Sequence, residues 1–177
     1  MQGTRDGTND FVASGFSCVV PCTWRIDDYD QNFNLLDEDG EIVAFVTADA
    51  LASVSVLYNT GWSLGIYDCV GAPLVTMEMT GVDAMAPELE IKDAGGVLVA
   101  TTSYEGHPIS GDRLVVNGVG ASEGTVLATM TWEVQLSGHE WNVEVPPYAT
   151  RSIASDVRVL SAMAAYKTWK DMDNGAG

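Results

Sequence analysis

The chain has 177 residues and a mass of 18.9 kDa, with 46% hydrophobic and 19% charged residues. That size and balance fit one globular domain with a proper core and exclude a disordered chain. Acidic residues number 25 against 8 basic ones, a formal net charge of −17 and a pI near 4.1, so the general surface repels nucleic-acid phosphates and anionic headgroups. Nucleic acid is therefore no expected partner, anionic lipid is disfavoured, and the acidity reads as a solvated surface or a docking face for a basic protein.

In chain order, residues 1–26 read as an N-terminal arm, partly extended. The first ten are rich in Gly, Thr and Asp, the composition of a mobile tail. Residues 11–26, with Pro21 and Trp24, suit an edge strand or a belt across the outside of the domain. No basic leader precedes an apolar run, and Ser14, Gly15 and Ser17 interrupt Phe11–Pro21. No signal peptide is visible, and the expected location is intracellular, cytoplasmic or organellar. Cys18, Cys22 and Cys69 match no zinc spacing. They are expected as ordinary reduced thiols, with a Cys18–Cys22 disulfide or a lipidated Cys18/Cys22 pair as the open alternatives.

Residues 27–170 read as the folded domain. It opens on an acidic stretch that includes Asp27, Asp28, Asp30, Asp37, Glu38, Asp39 and Glu41. Placing Gly40 at the sixth position of an EF-hand loop puts Leu35 first and Val46 twelfth, and neither side chain can ligate calcium. An irregular calcium site on Asp27, Asp28 and Asp30 is the reading left open, against turn chemistry and solvation.

A weak repeat follows. Asp37 precedes Gly40, Asp68 precedes Gly71, and Asp93 precedes Gly95 and Gly96, each with an apolar run after it. A fourth copy keeps Gly124 and lacks the Asp. Each copy reads as a β-hairpin: the Asp side chain accepts N–H groups across the turn, and Gly takes a positive φ. Flanking residues alternate, as in Trp62, Leu64 and Ile66, or Trp132, Val134 and Leu136. Period two with one apolar face predicts antiparallel sheet with one side on a core. Four hairpins and the returning strands predict ten to twelve strands, a number that closes into a barrel or splits into a sandwich. The closed antiparallel β-barrel is the expectation, because the last element needs an interior.

The last element is different in kind. Residues near 154–169 have helix-forming composition without Gly or Pro, before a tail at 171–177. Val157, Val159, Leu160, Ala162, Met163, Ala164, Ala165 and Tyr166 cover most of the helix circumference. A helix apolar all round is buried in protein or spans a membrane, and this run, bracketed by Arg158 and Lys167, is too short to span. It is expected inside the barrel, which leaves no transmembrane segment.

The repeated Asp-x-x-Gly hairpins, the strand Trp141-Asn142-Val143-Glu144-Val145 and the ending from Asp156 to Ala165 resemble the tubby C-terminal-like superfamily. The nearest pattern is its LURP-one-related and phospholipid-scramblase-like branch. The resemblance covers about residues 30–170 and implies a barrel of about twelve strands around a central hydrophobic C-terminal helix. The family's phosphoinositide site does not transfer, because no Lys/Arg cluster lies on the strands here. Cys18 and Cys22 are too few and too far upstream for the scramblase palmitoylation segment.

No catalytic constellation emerges. His107 and His139, next to Gly or Pro, read as loop-surface residues, and neither lies in a hydrolase or zinc-protease motif. Gly118, Gly120 and Gly124 do not make a phosphate loop. The five tryptophans are expected as core and rim fillers. The functional expectation is a non-enzymatic interaction module without cofactor, an accessory or scaffolding subunit in a larger assembly. The alternative is a peripheral lipid-binding or scramblase-like module, which would need Arg151, Arg158, Lys167 and Lys170 to build a local headgroup site.

Overall fold

The computed structural model describes residues 3–5, 10–13, 33–50, 62–80, 88–105, 112–135 and 138–165. They form a mainly β domain: one sheet of eleven strands whose spatial order is the chain order. The short strands β1 (Gly3–Arg5), β2 (Asp10–Ala13) and β3 (Phe33–Leu36) begin it. Then come β4 (Ile42–Ala50), β5 (Trp62–Tyr67), β6 (Pro73–Met79) and β7 (Leu89–Asp93). β8 (Leu98–Glu105), β9 (Asp112–Gly118), β10 (Val126–Gln135) and β11 (Gly138–Glu144) complete it. From β3 to β11 nine strands pair antiparallel, each with the next, while β2 lies parallel to β3.

The expected closed barrel is corrected by this order. No ladder joins β11 to β1 among the described residues, so the sheet is open, although β1 comes to lie beside β11. With only three residues, β1 offers too short a rim to carry hydrogen bonds along β11. The reading of the first ten residues as a mobile tail is also corrected, since Gly3–Arg5 is paired with Phe11–Ala13. Of residues 11–26, expected as an edge strand or an outer belt, 11–13 form an interior strand, since β2 lies between β1 and β3. Residues 14–26 lie outside the described part.

The alternation read from the sequence is the packing pattern. Leu64 and Ile66 on β5, Val75 and Met77 on β6, and Leu89 and Ile91 on β7 are buried, and each belongs to one core cluster. The polar residues between them face away. On that outer face Glu78 and Glu90 stand directly opposite each other, an unfavourable like-charge pair. Lys92 offsets it by bonding Glu78 at 2.6 Å and lying 3.6 Å from Glu90. The hydrogen bond to Glu78 holds the Lys92 ammonium above its ordinary pKa.

Four irregularities give the sheet its curl. A register shift follows each hairpin turn, between Leu35 and Leu36, Ile66 and Tyr67, Ile91 and Lys92, and Val126 and Ala128. Each is a β-bulge that leaves one residue unpaired: Val43, Leu74, Val99 and Leu127. All four pack on the core beside the neighbour that the ladder also turns inward. A bulge thus presents two consecutive apolar residues to one face and strengthens the local twist. Repeated on alternate hairpins, it bends an antiparallel sheet around whatever fills its concave side.

That filling is the helix α1, described over residues 157–165, with a 3₁₀ turn at Ile153–Ser155 before it. Of the expected span near 154–169, residues 166–169 lie outside the described part. Val159 to Ala165 are buried without interruption. Seven consecutive residues at about 100° per residue sample the whole circumference, so protein covers α1 on every side. Leu160, Ala162 and Met163 share the core cluster with residues from β3 to β10. No described helix is long and apolar enough to cross a membrane.

Replacing Met163 with Asp should abolish folding. An unpaired buried carboxylate costs several kcal/mol, comparable with the about 5–15 kcal/mol that holds a domain together. Met163→Leu, which keeps volume and apolarity, should cost less than about 1.5 kcal/mol. Thermal melts of the two variants test this, and a cooperatively melting Met163→Asp protein contradicts the central placement of α1.

Candidate functional site

Because β3 to β11 alternate in direction, their connections alternate between two ends. The turns at 37–41, 68–72, 93–97 and 119–125 all fall at one end, and the segment after β11 starts from the same end. Three of these turns are copies of one another. Asp37 Oδ1 accepts N–H bonds from Asp39 and Glu41, Asp68 Oδ1 from Val70 and Ala72, and Asp93 Oδ1 from Gly95 and Val97, all at 2.8–3.0 Å. In each the glycine N–H donates to the Asp carbonyl, and Gly40, Gly71 and Gly96 have φ of 81°, 80° and 79°. The local reason is the one read from the sequence: a short acceptor fixes the turn, and only glycine takes the left-handed position without strain.

The fourth turn has no Asp and closes differently. A 3₁₀ turn at Gly120–Ser122 carries the chain back, and Gly118 donates to the Thr125 carbonyl oxygen at 2.9 Å. A Cβ on Gly118 would stand 2.5 Å from the Ser122 Cβ and 2.6 Å from its carbonyl oxygen. Close backbone packing here replaces the Asp side chain.

The segment 145–156 crosses this end of the sheet and leads into α1. Its 3₁₀ turns, Pro147–Ala149 and Ile153–Ser155, bury Ala149, Ala154 and Ser155. Ser155 Oγ shares its proton between the Ala149 and Ser152 carbonyl oxygens. Asp156 caps α1: Oδ1 accepts the Arg158 N–H at 2.9 Å, and the Arg158 guanidinium meets both carboxylate oxygens at 3.0 and 2.7 Å. Burial pushes the Asp156 carboxyl up, but the hydrogen bonds and charge of Arg158 together outweigh it and hold the group below its ordinary pKa.

Exposure adds a feature that the sequence reading missed. The large hydrophobic side chains exposed among the described residues are Val70 (76%), Tyr148 (65%), Val97 (61%) and Leu98 (37%). All four belong to this end: Val70 and Val97 to tight turns, Leu98 to the first residue of β8, and Tyr148 to the crossing segment. A signal was present. Val70 occupies the second position between Asp68 and Gly71, where the equivalent residues are Asp39 and Gly95, and a turn aims that side chain outward. The same end carries exposed Glu38, Asp39, Glu41, Glu123 and Glu144, with exposed Arg151 of opposite sign.

The other candidates fare unequally. Arg158 is held in its bidentate pair with Asp156 and Arg151 is exposed, so the two do not form one cationic cluster, while Lys167 and Lys170 lie outside the described residues. Asp27, Asp28, Asp30, His107, Cys18 and Cys22 also lie outside them. His139 belongs to β11, a correction of its expected loop position, since β11 begins one residue earlier, at Gly138. Cys69 is disulfide-bonded, which corrects the expectation of three reduced thiols. Its Sγ also lies 3.3 Å from the Ile42 carbonyl oxygen. Among the described residues no group of three or more His, Cys, Asp or Glu could hold a metal ion.

Comparison of the chain with protein-family models, with curated proteins and with solved structures finds no match.

Two expectations follow from the turn and cap geometry. At Gly96 nothing lies within 4 Å of an added Cβ, so Gly96→Ala should cost only the backbone strain, about 1–2 kcal/mol. Gly118→Ala meets Ser122 backbone and should cost more, and urea melts give the order. Asp156→Asn should lose about 1–2 kcal/mol at neutral pH by removing charged hydrogen bonds. A carboxyl with a depressed folded pKa stabilises above the unfolded value, about 3.9 for Asp, and loses that contribution as pH falls through the folded one. The gap between wild type and Asp156→Asn should therefore close below about pH 3.9, as urea melts across pH would reveal; a pH-independent gap contradicts the ion-pair account.

Proposed function

We propose that this protein is a non-catalytic interaction module, an accessory or scaffolding subunit that docks on other proteins. One observation carries the reading: the concave side of the sheet is filled by α1, whose residues Val159 to Ala165 are buried all round. A curved sheet that enclosed a ligand would keep that volume open. With its interior occupied by its own helix, the domain works through its outer surface. That surface is dominated by carboxylates, since the net charge is −17, which favours a basic partner.

The kinship proposed with the tubby-like, LURP-one-related group has two supports. One is the sheet wrapped on a hydrophobic C-terminal helix, and the other is the recurrence of the Asp-x-x-Gly hairpin. A shared architecture does not carry an activity with it, and the interaction reading stands on the surface alone.

Gradient sedimentation of a gentle native lysate, with mass spectrometry of co-migrating chains, tests it. The protein should migrate well above its own 18.9 kDa with reproducible companions. Migration as a lone small protein at every salt concentration overturns the reading.

A further inference from the structure

The four large hydrophobics exposed among the described residues share one end of the sheet. Single exposed apolar residues are ordinary on any protein. What is informative here is that four share one end of the sheet, on or beside turns that the strands below hold in register. A hairpin tip that needs only solubility takes polar residues, as Glu38 and Asp39 do at the first turn. Val70 is 76% and Val97 61% exposed in turns of identical backbone geometry, so the turn does not require them to be apolar. Tyr148, 65% exposed, is of a residue type enriched in binding hot spots, an amphipathic ring with few rotamers to lose.

The turns are also rigid. Each Asp side chain ties two N–H groups of its own loop, and the strands below hold the turns in register. Apolar tips on rigid supports lose little conformational entropy on binding. Around them stand exposed Glu38, Asp39, Glu41, Glu123 and Glu144, a polar rim about apolar anchors, which is the usual anatomy of a protein interface.

We propose that the tight-turn end is the docking face of this protein. Val70, Val97, Leu98 and Tyr148 are its apolar anchors, and its occupant is a protein segment that alternates Lys or Arg with apolar side chains. Charge complementarity selects this occupant: the rim carries carboxylates from the first and fourth turns and from the end of β11, and exposes Arg151 as its one described cation outside an ion pair. An acidic or neutral apolar segment would leave those carboxylates desolvated and unpaired. The proposal rests on the interaction-module reading and adds to it the face and the chemistry of the partner.

The test uses the full chain in native lysate, with a photoreactive benzophenone side chain placed at Val97 in one variant and at Glu105, at the opposite end of β8, in another. A third protein carries Val97 benzophenone with Val70→Ser and Tyr148→Ser. Cross-linked segments are identified by mass spectrometry. The expected result is a product from Val97 on a Lys/Arg-rich, apolar-interleaved segment, at least tenfold weaker from Glu105 and in the Val70→Ser, Tyr148→Ser background, and falling as salt is raised. Co-migrating companions that cross-link from Glu105 and not from Val97 overturn the docking face while leaving the interaction-module reading intact. A Val97 product on an acidic or neutral segment overturns the partner chemistry. Absence of companions in sedimentation removes the underlying reading and this face with it.

Discussion

The burial of α1 is the constraint on which the rest of the fold depends. A helix buried at seven successive positions, Val159 to Ala165, six of them apolar and only Ser161 polar, has no face to show to water. It must be covered all round, and a flat sheet can cover only one side. The sheet therefore has to curl, and the sequence supplies the means at four hairpins, where a bulge brings Val43, Leu74, Val99 or Leu127 onto the core beside its neighbour. Sheet and helix each satisfy a requirement that neither meets alone: the strands need an apolar partner for their inner face, and the helix needs an enclosure.

The repeated hairpin is the unit that joins these requirements. Its Asp closes the turn, its glycine permits the reversal, and its bulge three residues after that glycine bends the strand. Where the fourth copy lacks the Asp, the bulge is still present and Gly118 against Ser122 keeps the chain tight. The bend is thus more constant than the turn chemistry that leads to it. The same arrangement leaves one end of the domain with short, rigid loops and an exposed apolar set, and makes that end different in character from the walls.

Much of the fold was legible because it rests on local chemistry. Asp37, Asp68 and Asp93 with their glycines specify the same turn wherever they occur, and alternation at Leu64, Ile66, Val75 and Met77 identifies the buried face without knowledge of the partner strand. The all-round apolarity of residues 157–165 identified the central helix. Closure was not legible, because whether β1 meets β11 depends on the length and register of short terminal strands. No local pattern encodes that. The parallel pairing of β2 with β3 escaped for the same reason. At the candidate site, Val70 was legible from its place inside the Asp68–Gly71 turn. Val97 looked like the start of the apolar run after Gly96, and only the turn geometry reveals that its side chain leaves the core. Cys69 likewise carried no spacing signal, since a disulfide is decided by proximity in the fold.

The measurement that tests the central dependence most directly is native-state hydrogen exchange with increasing denaturant. If the sheet is built around α1, the amides of residues 160–165 should exchange only through global unfolding, with the same free energy and denaturant dependence as the most protected amides of β5, β6 and β7. Exchange of the α1 amides through a cheaper local opening, while those strands stay protected, would contradict the account and make the helix a late addition to an independently stable sheet.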